Sequence, residues 1–474
     1  MVSSIATAAF AETYDLNKGS VTVETKDNGN TYVTQANTDI NNHPDDTGVT
    51  ITSNGTQTSN TITVETAKDQ TTNVTLQDVN IEVNTSDAKS GAIEIKGDGN
   101  TNLELNGDNT VSVKNEWHDE HAAIEKADQY GTGTLTIKDD VNNDGSEKTG
   151  KDTDTTGKLL AGGYHEAAAI GGGSGDDTSN ITITGGEITA IAGHNGGAGI
   201  GGGGRPGNNG GNPNGGAGKN ICIEGNAHVT AVGEEGAAIG GGASGGNSIT
   251  IKDHAVVNAY GAWGSAIGDG GIYTSNEKLP TTITISGNAT VHAETCQGGC
   301  AIGSGQHGDA GDLTINIEKN ANVTAISSFD RPAIGNYLCY NGNTTTINIT
   351  GGTVNAVNSY GTDYTSDRSP AIGGNIFERN SGGGNRATCN VNINSSTGDT
   401  IVNAYIYGKG SGTAIGSSDN NDTYFPADDA SYNADGSSNF GERNSAIVNC
   451  YKNGTVDKKP LVLPKTTDDS AFWD

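Results

Sequence analysis

Residues 181–203 read Ile181-Thr182-Ile183-Thr184-Gly185-Gly186-Glu187-Ile188-Thr189-Ala190-Ile191-Ala192-Gly193-His194-Asn195-Gly196-Gly197-Ala198-Gly199-Ile200-Gly201-Gly202-Gly203. Three phrases sit in that stretch. Ile181-Thr182-Ile183 alternates apolar and polar residues, and so does Ile188-Thr189-Ala190 after a Gly-Gly turn. Strict alternation with β-branched residues marks half-buried strands, with Ile and Val inward and Thr outward. The third phrase, Ala198-Gly199-Ile200-Gly201, is a loosened copy of one that returns down the chain. It recurs as Ala169-Ile170-Gly171, Ala238-Ile239-Gly240, Ala266-Ile267-Gly268, Ala301-Ile302-Gly303, Ala333-Ile334-Gly335, Ala371-Ile372-Gly373 and Ala414-Ile415-Gly416.

From Ile170 to Ile415 these isoleucines step by 30, 39, 28, 35, 32, 38 and 43 residues. A unit recurring at variable spacing is a coil with variable loops. The other phrases recur with it, as Ile249-Thr250-Ile251 followed by Val257-Asn258-Ala259, or Ile347-Asn348-Ile349 followed by Val354-Asn355-Ala356. None of these short strands can bury its apolar face alone; stacked coil on coil, they share one Ile/Val/Ala core. The expected fold is all-β: a right-handed parallel β-helix, or β-solenoid, of about eleven three-faced coils. Strands ~4.8 Å apart make that a rod roughly 50 Å long, right-handed because parallel crossovers nearly always are.

In the third phrase Ala and Ile both hold, while the residue before them varies (Ala168, Ala237, Ser265, Cys300, Pro332, Pro370, Thr413). Alternation would fix every second residue instead. The phrase therefore reads as a bend: Ala is small because another backbone lies close, and Gly takes a conformation that a Cβ forbids.

Residues 12–160 follow the pattern less regularly and read as an N-terminal cap with irregular first coils. Strands are expected there at Val21-Thr22-Val23, Val49-Thr50-Ile51, Val74-Thr75-Leu76, Ile81-Glu82-Val83, Leu103-Glu104-Leu105, Val111-Ser112-Val113 and Leu135-Thr136-Ile137. Gly91-Ala92-Ile93-Glu94 and Ala123-Ile124-Glu125 are degenerate corners. Residues 161–424 are the regular β-helix, and 425–474 a last coil and linker tail. Residues 1–11 end in Ala9-Phe10-Ala11, a small-x-small cleavage pattern, and read as the remnant of a signal peptide. That places the chain outside the cell, secreted or on the surface.

The formal net charge is −30, from 56 acidic against 26 basic residues. Such a balance disfavours nucleic acid and anionic membrane as partners. No stretch is long and apolar enough to span a membrane. The six cysteines contain no Cys-x-x-Cys, which argues against zinc through that motif. Cys296 and Cys300 share one loop, where they are placed to bridge each other or the next coil.

The best metal signal is the acidic insertion that begins at Asp139. Asp140, Asn142 and Asp144 have D-x-N-x-D-G spacing, which points three oxygen ligands at one Ca2+; Lys151 stands where the loop's usual Glu belongs. Catalytic signals are weak. There is no Gly-x-Ser-x-Gly, no phosphate loop and no lyase arginine motif, and carboxylate pairs are common in so acidic a chain.

The loop before each Ala-Ile-Gly varies most, and stacking lines these loops along one edge of the rod. They carry Trp117, Tyr164 and His165, His194, Glu234 and Glu235, Trp263, Phe329 and Asp330, then Tyr360 and Tyr364. Aromatic faces beside carboxylates suit sugar rings, which stack on one and hydrogen-bond the other. The plainer reading is that loop aromatics only cover strand ends. Trp263, flanked by Gly261, Ala262 and Gly264, is expected to project.

The repeats resemble those of exported β-helix proteins of gut Gram-positive anaerobes, whose phrase runs Ile-Thr-Ile-(Ser/Thr)-Gly-Gly-x-Val-Thr-Ala, then Gly-Ala-(Ala/Gly)-Ile-Gly-Gly-Gly. Residues 180–192 and 197–203 match it closely, the likeness holding over about 160–420 and only weakly before. Such proteins are commonly labelled carbohydrate-binding and are often multidomain and surface-attached. The resemblance implies a secreted or cell-surface, adhesin-like binder of polysaccharide or host glycoprotein, acting as a monomer or as part of a longer chain. A glycan-cleaving enzyme and a structural spacer stay open as alternatives.

Overall fold

The computed structural model describes residues 12–45, 48–84, 90–114, 121–141, 156–205, 215–243, 245–271, 279–306, 311–328, 331–339, 343–359, 369–376, 388–407, 414–417, 431–433 and 446–452. Every described strand joins one of three long sheets, two of 12 strands and one of 14, and apart from the antiparallel strands at the two ends, consecutive strands of the chain fall in different sheets. This is a β-solenoid. The first sheet stacks the Ile-x-Ile strands, the second the Val-x-Ala strands, and the third the Ala-Ile-Gly corners. Ten coils contribute a strand to all three sheets, and two coils before them contribute to the first and third only.

Register follows the sequence phrases. Ile181 lies opposite Ile221, and Ile221 opposite Ile249. Ala190, Ala231 and Ala259 face one another in the second sheet. Slipping a strand by one residue would turn its Thr and Asn into the core, so the alternation itself locks the stack. Outside, Asn316, Asn348 and Asn392 form a side-chain ladder, each amide nitrogen donating to the preceding carbonyl at 2.8–2.9 Å.

The corner isoleucines form one column. Ile93, Ile124, Ile170, Ile200, Ile239, Ile267, Ile302, Ile334, Ile372 and Ile415 pair in series and are fully buried. Both reasons expected for the phrase hold. The corner glycines take φ of +132° to +142°, and a Cβ on Gly171 would lie 1.9 Å from the Gly201 carbonyl oxygen of the next coil. Gly199 stands opposite Ala169, the small position of the phrase, with the Ala238 carbonyl 2.6 Å from where its Cβ would be. The bend is closed by a hydrogen bond from two residues before Ile to two residues after, as Ala168 N–H to the Gly172 carbonyl (3.0 Å).

Antiparallel strands close the edge of one sheet at each end. At the N-terminal end Val21–Thr25 pairs antiparallel with Thr31–Gln35, which pairs with His43–Pro44. At the other end Ser431–Asn433 runs antiparallel to Ile447–Lys452. Such strands stop a parallel stack from recruiting further chains.

Candidate functional site

The described loops before the corners lie backbone on backbone from Gly163 to Gly299. A Cβ on Gly193 would meet the Tyr164–His165 peptide at 2.1 Å, and one on Gly264 the Gly236 carbonyl at 2.2 Å. Only glycine lets successive loops approach this closely, which explains the glycines that bound these loops.

Along the edge, neighbouring coils touch through the predicted residues. The rings of Tyr164 and His165 lie 6.2 Å apart. His165 Nε2 is 3.1 Å from Asn195 Nδ2 on the next coil. His194 Nδ1 pairs with the Glu234 carboxylate of the coil after it. The Glu234 carbonyl accepts the Trp263 N–H at 2.8 Å, and the Glu235 carbonyl the Gly271 N–H at 2.6 Å. Beyond Trp263 the run continues from Gly298 N–H to the Ala262 carbonyl (2.8 Å), and from Arg331 Nε to the Gly298 carbonyl (2.8 Å). Six coils are linked in this way.

The electrostatics of the edge are those of half-covered ionisable groups. His194 is raised above its ordinary value, first by its hydrogen bond to Glu234. Burial raises the Glu235 carboxyl, the Glu234 charge adds to it, and His194 and Arg205 oppose both. Tyr164, His165, Glu234, Glu235 and Trp263 are all part-buried. Trp263, expected to project, is part-buried, with its backbone N–H on the Glu234 carbonyl and its own carbonyl on Gln306 N–H (3.0 Å). Trp117, Phe329, Asp330, Tyr360 and Tyr364 lie outside the described residues.

Sequence reasoning placed His194 on the edge without a partner and missed Asn195 beside it. Their partners lie 40 and 30 residues away, so only the coil register reveals them.

Of the expected Ca2+ ligands, Asn142 and Asp144 lie outside the described residues. Asp140 is exposed, with its carboxylate 3.1 Å from Lys138 Nζ. The chain enters that loop over Glu104, whose Oε1 accepts both the Asp140 and Val141 N–H at 2.8 Å. The thiols give no bridge at the expected place. Cys296 is free and pushed up to about 11, chiefly by burial, and Cys300 Sγ lies 3.7 Å from Ser304 Oγ.

No protein-family model, curated protein or solved structure matches the chain.

Proposed function

We propose that this chain is a secreted or cell-surface binding protein of adhesin type, holding an extended polysaccharide or a host glycoprotein along the loop edge. The observation that carries the reading is the contact chain from Tyr164 through His165, Asn195, His194 and Glu234 to Trp263. It runs from one aromatic residue to another through a row of imidazole, amide and carboxylate groups, on a rigid stack. A repeating ligand meets a repeating edge, and rigid elements keep the ordering cost of binding low.

The test is a glycan and host-protein array on the whole chain, followed by Trp263→Ala on the best ligand. Stacking on one aromatic face contributes about 0.5–1.5 kcal/mol beyond area burial. The variant is therefore expected to weaken binding about tenfold by calorimetry while its melting curve stays as before. Unchanged affinity rejects the edge. Release of reducing ends from the bound glycan moves the assignment to the glycan-cleaving alternative.

Calcium belongs to the same proposal as an ordering ion for the loop that opens at Asp140, with Asn142 and Asp144 completing the oxygen set. EDTA is expected to lower the melting temperature, and Asp144→Ala to abolish that sensitivity. Superimposable melts with EDTA and with millimolar Ca2+ end the calcium reading without touching the edge.

A further inference from the structure

In the regular coils the residue after each column isoleucine is Gly, and the approach of the next coil enforces it. Two adjacent coils depart from this. Glu94 and Glu125 occupy that position in strands Ile93–Lys96 and Ile124–Glu125, directly opposite each other, with Glu125 in turn opposite Gly171. Like charges facing across a strand pair are destabilising, and here both are buried, Glu94 at 6% exposure and Glu125 at 1%.

A third group joins them. His121 Nδ1 lies 2.7 Å from Glu125 Oε2, and one donor atom from each of Glu94, His121 and Glu125 falls within 4.8 Å of the others. Gly91 leaves room beside them: a Cβ there would stand 3.2 Å from Glu125 Cβ and 3.4 Å from Oε2. Glu94 is partly compensated, with Lys96 Nζ at 2.9 Å and Thr63 Oγ1 at 3.3 Å. Glu125 has His121 on Oε2 alone, and its Oε1 is buried with no hydrogen-bond partner. An unsatisfied carboxylate oxygen in the interior is costly unless something positive meets it.

We propose that Glu94, His121 and Glu125 form a binding site for a first-row divalent metal ion, of which Zn2+ is the natural probe. Two carboxylates and one imidazole suit that class, whereas Ca2+ and Mg2+ prefer oxygen alone. The ion meets the buried Glu125 carboxylate and screens the two facing charges from each other. It ties one coil to the next in the irregular part of the stack, where the corner glycine is missing. Three protein ligands leave one position open to water. This site is separate from the Asp140 loop, whose donors are all oxygen.

The test uses the whole chain, stripped with chelator and then titrated with Zn2+ by calorimetry and with Co2+ by visible absorption. The site predicts Zn2+ retention, d–d bands from a nitrogen- and oxygen-bound Co2+, and a Zn2+-dependent rise in melting temperature. Glu125→Gln, nearly isosteric, and His121→Ala, in a part-exposed loop, should each weaken Zn2+ binding by at least about tenfold. Asp140→Ala should leave it unchanged. Absence of Co2+ bands in the unmodified chain overturns the proposal. So does Zn2+ affinity that survives both substitutions, or that is lost with Asp140→Ala alone.

Discussion

Ile302→Asp is expected to unfold the coil that carries it and to loosen those on either side. Ile302 sits mid-column, fully buried and paired with Ile267 below and Ile334 above. Removing a buried Ile side chain costs about 2–5 kcal/mol, and an uncompensated carboxylate in its place adds several more. Its neighbours in the column are isoleucines, which offer a charge no relief. A total above about 5 kcal/mol rivals the whole stability of an ordinary domain. In a solenoid each coil contacts only its neighbours, so the loss is local before it is global. Thermal unfolding should split into two steps, and limited proteolysis should cut first between Ile267 and Ile334. Ile302→Val, costing about 0.5–1.5 kcal/mol, should keep a single transition. An Ile302→Asp chain that melts like the parent contradicts the buried column.

The same column shows why so much of the fold was legible. Its signal is a repeat of identity, not of composition: Ile followed by Gly reports both a buried side chain and a left-handed backbone angle, and the two recur together. Even the irregular N-terminal strands, such as Val74-Thr75-Leu76 and Leu135-Thr136-Ile137, fall in register with the regular ones. What the sequence concealed lies between coils. His194 and Glu234 meet because one loop rests on the next, and loop lengths that vary from coil to coil hide the alignment. Glu125 shows the same limit from the other side. Its place as a degenerate corner was readable, yet His121 four residues earlier carried no mark of a partner. The small residues flanking Trp263 also mark close backbone approach: a Cβ on Gly264 would meet the Gly236 carbonyl at 2.2 Å. Asp269 was also passed over, although it interrupts a glycine run at Gly268-Asp269-Gly270.

Asp269 carries the second large effect, and its sign depends on pH. The residue follows the corner Gly268 in the position held by Gly172, Gly202 and Gly241 in the preceding coils. It is fully buried. Its Oδ1 accepts from Asn247 Nδ2 at 2.7 Å and Thr281 Oγ1 at 2.5 Å, while Oδ2 is buried without a partner. Thr281 Oγ1 also accepts the Gly246 and Asn247 N–H at 3.1 Å, so the three side chains knot successive coils together. Burial raises the carboxyl from 3.8 to about 6, against the two hydrogen bonds that lower it. Below pH 3.8 Asp269 is protonated in both the folded and the unfolded chain and contributes no pH dependence. Between about 4 and 6 the folded chain keeps a proton that the unfolded chain has released, so stability falls as pH rises. Above about 6 the penalty is complete, and a shift of about two units corresponds to about 3 kcal/mol. Asp269→Asn keeps the Oδ1 acceptor and removes the charge. Denaturant titrations should find the variant level with the parent near pH 4 and more stable by up to about 3 kcal/mol at pH 7. A parent–variant difference that stays constant from pH 4 to 7 would mean that Asp269 does not titrate in this window, and that a cation or water meets its second oxygen.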